Sequence, residues 1–225
     1  RERDGSVTGV GSAIRLGAVQ ARDTAPVSLV VASSRSVYGE GAYRCADHGV
    51  VFPGARADAD LAAGRFEPTC SRCNGTLVAA PTGEAAPLCP ASVYASTKLT
   101  QENMFLNVGM AQDIQVFAFR YQNVYGAGQS LHNPYTGILS IFSREMLAGR
   151  PIEICEDGLE SRDFVNVHDV AMANVLALES RAGGQHVLNV GTGRAVSVIE
   201  VAQTLAGYYG YDGSISVSGR YRAGD

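Results

Sequence analysis

Residues 27–39 read Val-Ser-Leu-Val-Val-Ala-Ser-Ser-Arg-Ser-Val-Tyr-Gly, an apolar run followed by a serine-rich turn. The apolar part, 27–33, predicts a buried parallel strand, because a strand covered on both faces is almost continuously hydrophobic and rich in β-branched residues. In open α/β sheets, ligands bind at the carboxyl ends of the strands. Ser33, Ser34 and Ser36 therefore lie where a binding site is expected.

Strands and helices alternate along most of the remaining chain. Further strands are predicted at 114–120, 152–155, 164–167, 186–190 and 214–218, and helices at 10–22, 90–108, 137–148, 169–180 and 197–208. The last helix begins with a capping box, in which the Ser197 hydroxyl and the Glu200 carboxylate each bind a free backbone N–H. This alternation predicts an α/β fold with a Rossmann-like, mostly parallel sheet.

The composition is that of a globular protein without a strong charge bias. Of the 225 residues, 46% are hydrophobic and 18% charged, and the formal net charge is −4. These values exclude a disordered chain, and they argue against binding nucleic acid or a membrane surface through bulk charge. No stretch approaches the roughly 20 apolar residues of a membrane span. Only one of the 18 basic residues is a lysine, Lys98.

Two short pairs of metal-ligating residues lie between residues 42 and 88. Cys45 and His48 are separated by two residues, as are Cys70 and Cys73. Each spacing places two ligands on one tight turn, and two such turns supply the four ligands of a closed, structural zinc site. The alternative interpretation is a loop that carries reduced thiols. The chain is expected to be cytoplasmic, and in such a chain an odd number of cysteines argues against a disulfide framework.

Tyr94 and Lys98 lie near the start of the helix predicted at 90–108. A spacing of four residues places the phenol and the amine on one face of that helix. A phenol beside an ammonium is suited to general acid/base chemistry. Such pairs also occur by chance on many helices, so this spacing alone does not identify a catalytic site.

Six motifs in order carry a family resemblance. They are Ser33-Ser-Arg-Ser-Val-Tyr-Gly39, Tyr94-Ala-Ser-Thr-Lys98, Arg120-Tyr-Gln-Asn-Val-Tyr-Gly126, Ser161-Arg-Asp-Phe-Val165, Asn189-Val-Gly-Thr-Gly193 and Arg222-Ala-Gly-Asp225. The chain thereby resembles the extended short-chain dehydrogenase/reductases, the NAD-dependent nucleotide-sugar epimerases and dehydratases. The resemblance covers nearly all of residues 27–225 outside 42–88.

The resemblance implies roles for individual positions. Ser34, Tyr94 and Lys98 match the catalytic serine, the catalytic base and the lysine that binds the nicotinamide ribose. The positions that match NAD-contacting residues are Ser33, Tyr94, Lys98 and Tyr121. Those that match substrate-binding residues are Ser36, Asn123, Glu153, Cys155, Arg162 and Arg222. The two arginines correspond to those that hold the diphosphate, for which a guanidinium fork is well suited.

The activity implied by the resemblance is 4-epimerisation of a dTDP- or UDP-linked sugar through a 4-keto intermediate. Dehydratases of the family carry an acidic pair where this chain has Arg35 and Ser36, and neither residue can replace a carboxyl group. The segments 122–130 and 133–139 look most like the branch that contains the dTDP-L-rhamnose 4-epimerases. The alternatives are an oxidoreductase or dehydratase of the same family, and a truncated, non-catalytic zinc-bearing binding module.

The expected organisation is a partial Rossmann-like cofactor domain with an inserted lobe. Residues 1–41 and 89–130 are assigned to the cofactor domain. Residues 42–88, named the Cys/His lobe, are read as an insertion, and 131–225 as mainly a substrate-binding lobe with Rossmann elements returning around 163–192. The Gly-rich phosphate turn of the family is not found, because Thr8-Gly-Val-Gly-Ser12 follows no predicted strand. The chain is therefore expected to be the latter part of a longer enzyme, acting as a homodimer.

Overall fold

The structure, a computed structural model, describes residues 11–14, 16–19, 26, 28–131 and 137–221. Its strands are β1 (Ser28–Ser34), β2 (Tyr43–Cys45), β3 (Gly49–Val51), β4 (Leu77–Ala79), β5 (Gln115–Tyr121), β6 (Asn123–Tyr125), β7 (Ile152–Ile154), β8 (Ser161–Asn166), β9 (Gln185–Val190), β10 (Ala195–Ser197) and β11 (Ile215–Val217). Its helices are α1 (residues 11–14 and 16–19), α2 (Asp58–Ala62), α3 (Val93–Gln112), α4 (Ile138–Leu147), α5 (Val167–Glu179) and α6 (Val198–Tyr209). None of the helices in these ranges is both long and apolar enough to cross a membrane.

The central sheet is parallel, with the strand order β1-β5-β9. The side chains of β5 alternate between its two faces, as the period of two in a strand requires. Val116 and Ala118 pack with Phe105 of α3 on one face, while Phe117 and Phe119 pack against α5 on the other. Both faces are thus covered, which accounts for the continuous apolar run in the sequence.

Helix α3 packs along one face of this sheet, and its first turns lie at the carboxyl end of β1. The Ser92 hydroxyl accepts a hydrogen bond from the Ala95 N–H and caps the first turn. The helix ends at Asp113, which adopts the left-handed conformation at φ 53°. Because Tyr94 and Lys98 lie in the first two turns, the packing of the whole helix against β1 and β5 fixes their position.

A second hydrophobic cluster lies beside the central sheet. Residues of α4 and α6 pack over Ile152 and Ile154 of β7, and β7 pairs in parallel with β11. Strand β8 lies between β6, to which it is parallel, and β10, to which it is antiparallel. The capping box predicted at the start of α6 is confirmed, with both the Ser197 and the Glu200 interactions formed.

The Cys/His lobe forms a small antiparallel sheet of its own. Strand β2 pairs with β3 on one side and β4 on the other, and α2 follows β3 along the chain. The buried residues of this lobe are chiefly Cys45, Cys70 and Leu77. A core of this size stabilises a domain only weakly, and small domains of this kind often contain a structural metal.

The predicted α/β fold with a parallel sheet is confirmed. Strand β5 is displaced by one residue from the predicted 114–120, and α3 extends to Gln112 rather than to 108. Strand β8 begins at Ser161, three residues before the predicted 164, because its first residues pair with β10, an element that the sequence does not predict. The helix predicted at 10–22 corresponds to the helical residues 11–14 and 16–19.

Candidate active site

Tyr94 and Lys98 lie beside the carboxyl end of β1. The Tyr94 side chain is 52% exposed, and Lys98 Nζ lies 5.9 Å from the centre of its ring. Lys98 Nζ donates hydrogen bonds to the Ala32 carbonyl oxygen at 2.9 Å and to Gln101 Oε1 at 3.4 Å. Burial lowers the pKa of the Lys98 ammonium below its usual value. An ammonium has three donors, so a third remains to bind a ligand.

Ser34 ends β1 and caps a single 3₁₀ turn, Arg35–Tyr38. Its hydroxyl oxygen accepts hydrogen bonds from the Ser36 N–H at 3.2 Å and from the Ser36 hydroxyl at 2.9 Å. With Ser36 as the donor in both contacts, the Ser34 hydroxyl donates to none of the residues that the structure describes. Ser36 therefore orients Ser34 and leaves its proton available for an oxygen of a ligand.

Two adjacent cavities open at this edge of the sheet. The first, named the Tyr94 cavity, has a volume of about 530 Å³ and is lined by Tyr94, Asn123, Tyr125, Gln129, Leu139 and Phe164, among others. The second, named the arginine cavity, has a volume of about 560 Å³ and contains Arg35, Ser36, Arg56, Arg162 and Arg194 in its wall. Phe164 lines the Tyr94 cavity and Arg162, two residues earlier on β8, lines the arginine cavity, so this strand borders both.

The predicted substrate residues divide between the cavities and other positions. Asn123 lines the Tyr94 cavity, and Ser36 and Arg162 line the arginine cavity. Glu153 and Cys155 line neither cavity, and Glu153 forms an ion pair with Arg220. Arg222 lies outside the described residues.

The predicted cofactor residues Ser33 and Tyr121 use their hydroxyl groups for contacts within the protein. Ser33 is buried, and its hydroxyl donates to Glu102 Oε2 at 2.5 Å. The Tyr121 hydroxyl donates to Asn174 Oδ1 at 2.9 Å, and burial raises the pKa of this phenol. Neither hydroxyl therefore points a free donor at a ligand, and their assignment to the cofactor stays a prediction.

A buried ion pair lies directly behind the site and was not predicted. Glu102 of α3 is 1% exposed and Arg120 of β5 is 4% exposed. Arg120 donates two hydrogen bonds to the Glu102 carboxylate, at 2.6 and 3.2 Å. It also donates to the Tyr38 hydroxyl at 2.9 Å. Since Ser33 binds the same carboxylate, the ion pair holds the end of β1 against α3 and β5.

Two of the sequence motifs are joined by a structural carboxylate. Asp163 accepts hydrogen bonds from the N–H and the hydroxyl of Thr192, at 2.9 and 2.7 Å, and from the Gly193 N–H at 2.8 Å. A Cβ at Gly191 would lie only 2.5 Å from Asp163 Oδ2, so a larger residue there would displace this carboxylate. Arg162 and Phe164, the neighbours of Asp163, line the two cavities, so this carboxylate positions the segment that carries them.

The four predicted metal ligands come together in the Cys/His lobe. Their ligand atoms, from Cys45, His48, Cys70 and Cys73, all lie within 4.8 Å of one another. The His48 Nδ1 atom is 3.5 Å from both Cys45 Sγ and Cys70 Sγ, and Cys45 Sγ is 3.6 Å from Cys73 Sγ. Tetrahedral zinc with bonds of about 2.0–2.3 Å gives edges of about 3.5–3.8 Å. The donor set and its spacing therefore suit a zinc ion.

The thiol of Cys70 lies on a turn whose backbone favours the thiolate form. A hydrogen bond from the backbone of Arg72 is the main cause that lowers its pKa to about 6. The thiolate, rather than the thiol, is the form that binds a metal. The turn that holds this cysteine is closed by hydrogen bonds from Cys70 N–H to the Gly75 carbonyl at 2.9 Å and from Asn74 N–H to the Cys70 carbonyl at 2.7 Å.

The Cys/His lobe also forms part of the wall of the arginine cavity. Tyr43, Arg56, Phe66 and Glu67 of the lobe all line it. Arg56 forms ion pairs with Glu156, at 2.8 Å, and with Glu40, at 3.4 Å. These two contacts connect the lobe to segments on either side of the cavity, which sequence spacing alone does not indicate.

Comparison with known proteins identifies related sequences. The model of the NAD dependent epimerase/dehydratase family matches residues 71–191. The dTDP-L-rhamnose 4-epimerase of Burkholderia thailandensis is 36% identical over 99% of this chain and 60% of its own length. A UDP-glucose 4-epimerase of Mycolicibacterium smegmatis is 41% identical over 60% of this chain and 43% of its own length. The chain thus spans 60% or less of the length of these relatives.

Solved structures with the same fold include two UDP-glucose 4-epimerases. The enzyme of Thermotoga maritima, solved with UDP-glucose, has a TM-score of 0.75 and 25% identity over 99% of this chain and 59% of its own. The enzyme of Thermus thermophilus, solved with NAD, has a TM-score of 0.69 and 26% identity over 99% of this chain and 60% of its own.

Proposed function

Because this chain belongs to the NAD-dependent epimerase/dehydratase family, we propose that it carries the proton-transfer and substrate-binding part of a nucleotide-sugar 4-epimerase that uses NAD. One observation carries the proposal more than any other. An exposed phenol, Tyr94, lines a cavity next to the partly buried ammonium of Lys98, with the free hydroxyl proton of Ser34 at the same edge of the sheet. The relatives that support 4-epimerisation act on dTDP-rhamnose and UDP-glucose, as their names state.

In the proposed mechanism, Tyr94 removes the proton of the sugar 4-hydroxyl and later returns it. Ser34 donates its free proton to the same oxygen and orients it. Lys98 stays anchored on the Ala32 carbonyl and uses its remaining donor to bind a ribose hydroxyl. NAD, when bound, supplies reversible oxidation at C4. After the 4-keto sugar has turned in the Tyr94 cavity, C4 would be reduced on its opposite face, and Tyr94 returns the proton to the C4 oxygen.

The same site argues against water elimination as the main reaction. Dehydration needs carboxyl groups that protonate and deprotonate the sugar, and Arg35 and Ser36 occupy the corresponding turn. Neither side chain can act as a carboxylic acid. An oxidoreductase would use the same residues but would consume a reduced cofactor. Product analysis distinguishes the two, because an epimerase interconverts two nucleotide sugars without net change in NADH.

The test is a Tyr94→Phe variant, with Tyr208→Phe as the matched control because Tyr208 is 81% exposed on α6. Removing a general acid/base is expected to lower kcat by about 10²–10⁴-fold, while UDP-glucose or dTDP-rhamnose binding, measured by calorimetry, stays within about twofold. The control is expected to retain full activity. Unchanged turnover in Tyr94→Phe would refute the proposed role of this residue.

We further propose that the Cys/His lobe binds one structural zinc ion through Cys45, His48, Cys70 and Cys73. The support is that the four ligand atoms lie within 4.8 Å of one another, and that the core of the lobe is small. With four protein ligands the coordination is closed, so zinc would stabilise the lobe rather than take part in the reaction.

Metal analysis tests the zinc proposal. The purified protein is expected to contain about one zinc per chain, and Cys70→Ser to contain much less. Cys89→Ser is the control, because Cys89 is an exposed free cysteine outside the cluster. A wild-type protein with no bound zinc would contradict the proposal, as would a Cys70→Ser variant with full zinc content.

A homodimer in the cytoplasm is the proposed state of the protein. Five free cysteines are consistent with a reducing compartment. On α3, the exposed residues Thr100, Asn103, Asn107 and Met110 follow one another at helical spacing, and Met110 is 71% exposed. Light scattering tests the dimer, and the mass of a single chain at micromolar concentration would contradict it.

A further inference from the structure

Arg35 lies in the wall of the arginine cavity, where the charges of Glu160 and Glu40 attract its guanidinium group. Its side chain is partly buried in the wall of the cavity. No hydrogen bond or ion pair joins it to any of the residues that the structure describes. Burying a charge without a directly bound partner costs free energy, and the attraction of Glu160 and Glu40 offsets this cost only in part.

The carboxylates around Arg35 are already engaged by other arginines. Glu160 forms an ion pair with Arg162, and Glu40 forms one with Arg56 at 3.4 Å. Burial, and then the charge of Arg162, lowers the pKa of Arg35 to about 10. A second positive charge close to an unpaired guanidinium increases the attraction for an anion at this point in the cavity.

The position of Arg35 connects it to the reacting end of the site. It directly follows Ser34, whose free hydroxyl proton is described above, and precedes Ser36, which orients Ser34. Arg35 is therefore fixed by the same 3₁₀ turn that places the proposed catalytic serine. A group bound by Arg35 would therefore lie close to the sugar, which is expected beside Ser34.

We propose that Arg35 binds an oxyanion of the substrate directly, acting with Arg162 as a pair of guanidinium forks in the arginine cavity. The inference rests on the proposed function, since it assigns a binding residue to the same nucleotide-sugar site. Two sources of the oxyanion share this chemistry: the diphosphate, and a carboxylate at C6 of the sugar. Both accept paired N–H donors from a guanidinium.

The experiment compares the wild-type protein with Arg35→Met, Arg35→Lys and the control Arg181→Met. Arg181 is exposed and precedes the first residue of β9, at the end of the central sheet away from the cavities. Its replacement by Met removes the same single positive charge as Arg35→Met. Binding of four probes is measured by calorimetry: UDP, dTDP, UDP-glucose and UDP-glucuronate. Arg35→Met is expected to bind about ten- to a hundredfold more weakly, and Arg35→Lys to lie between it and the wild type.

The pattern among the probes identifies the source of the anion. A similar loss for all probes assigns the contact to the diphosphate, and a loss confined to UDP-glucuronate assigns it to the sugar carboxylate. The thermal midpoint of Arg35→Met is expected to be unchanged or higher, because an unpaired charge has been removed, whereas a structural role would lower it. Wild-type affinity of Arg35→Met for every probe would overturn the inference. Failure of the wild-type protein to bind any probe would instead overturn the proposed function on which it rests.

Discussion

Replacing Glu102 by Gln is expected to destabilise the protein more than any exposed ion-pair substitution. The Glu102 carboxylate accepts two hydrogen bonds from Arg120 and one from Ser33, and all three residues are buried. The amide keeps the shape of the side chain but removes the charge, which leaves the Arg120 guanidinium uncompensated. Breaking a buried ion pair in this way costs about 3–5 kcal/mol.

The expected change in melting temperature follows from the size of the chain. With an unfolding entropy of about 2.1 cal/mol/K per residue over the 225 residues, a loss of about 3–5 kcal/mol lowers Tm by about 6–11 °C. Urea unfolding followed by circular dichroism provides an independent measurement of the same free energy. Asp60→Asn is the control, because its ion pair with Arg65 is exposed and is expected to contribute about 1 kcal/mol or less.

A double variant separates the ion pair from the general effect of mutating the core. Glu102→Leu combined with Arg120→Met removes both charges, and such replacements are often neutral or stabilising. We therefore expect the double variant to be more stable than Glu102→Gln alone. If Glu102→Gln unfolds at the wild-type temperature, or if the double variant is the least stable of the three, then the charge interaction does not hold this edge of the sheet together.

Three further outcomes are expected. Lys98→Arg keeps the charge but places a wide planar guanidinium where a single amine binds the Ala32 carbonyl. It should lower kcat about a hundredfold or more with little change in Tm. A variant with the wild-type kcat would contradict this prediction. Chelation of the proposed zinc should raise KM more than it lowers kcat, because the Cys/His lobe lines the arginine cavity; a lower kcat at constant KM would contradict it. Burial raises the pKa of Tyr43 to about 12, whereas an unfolded tyrosine ionises near 10. The neutral phenol is therefore favoured in the folded state, so this contribution to stability is complete below about pH 10 and is lost between about pH 10 and 12. Between about pH 9 and 11, the free energy of unfolding measured in urea should fall less for Tyr43→Phe than for the wild type. Identical decreases would contradict a raised pKa of Tyr43.

The predictable parts of this structure are those whose signal is local in sequence. Strand β5 contains the uninterrupted apolar run Val116–Phe119, and this run predicts the type of the strand and, to within one residue, its position. The metal ligands are also local, because each pair is separated by only two residues on a turn. The strands of the Cys/His lobe are three residues long, too short for a periodic pattern to be distinguished from a loop.

Contacts between distant segments could not be derived from spacing. Glu102 and Arg120 lie on a helix and a strand, and nothing in the sequence between them indicates that they meet. One signal was present: Glu102 lies on the same face of α3 as the buried residues Ala95, Phe105 and Gly109. A carboxylate on an apolar helix face requires a buried partner, and an arginine at the end of an apolar strand is the natural choice.

The buried ion pair also links the Cys/His lobe to the edge of the central sheet where β1 ends. Arg120 donates a further hydrogen bond to the Glu84 carbonyl at 3.0 Å. Asn189 of β9 binds the Thr82 carbonyl at 2.9 Å through its side chain and the Glu84 carboxylate at 2.9 Å through its backbone N–H. The last residues of the lobe are thus hydrogen-bonded to β5 and β9 of the central sheet, next to the end of β1 and the 3₁₀ turn Arg35–Tyr38. The proposed zinc ion would therefore restrain one end of this network, and Glu102 restrains the other. We expect that loss of either would loosen the turn that carries Ser34.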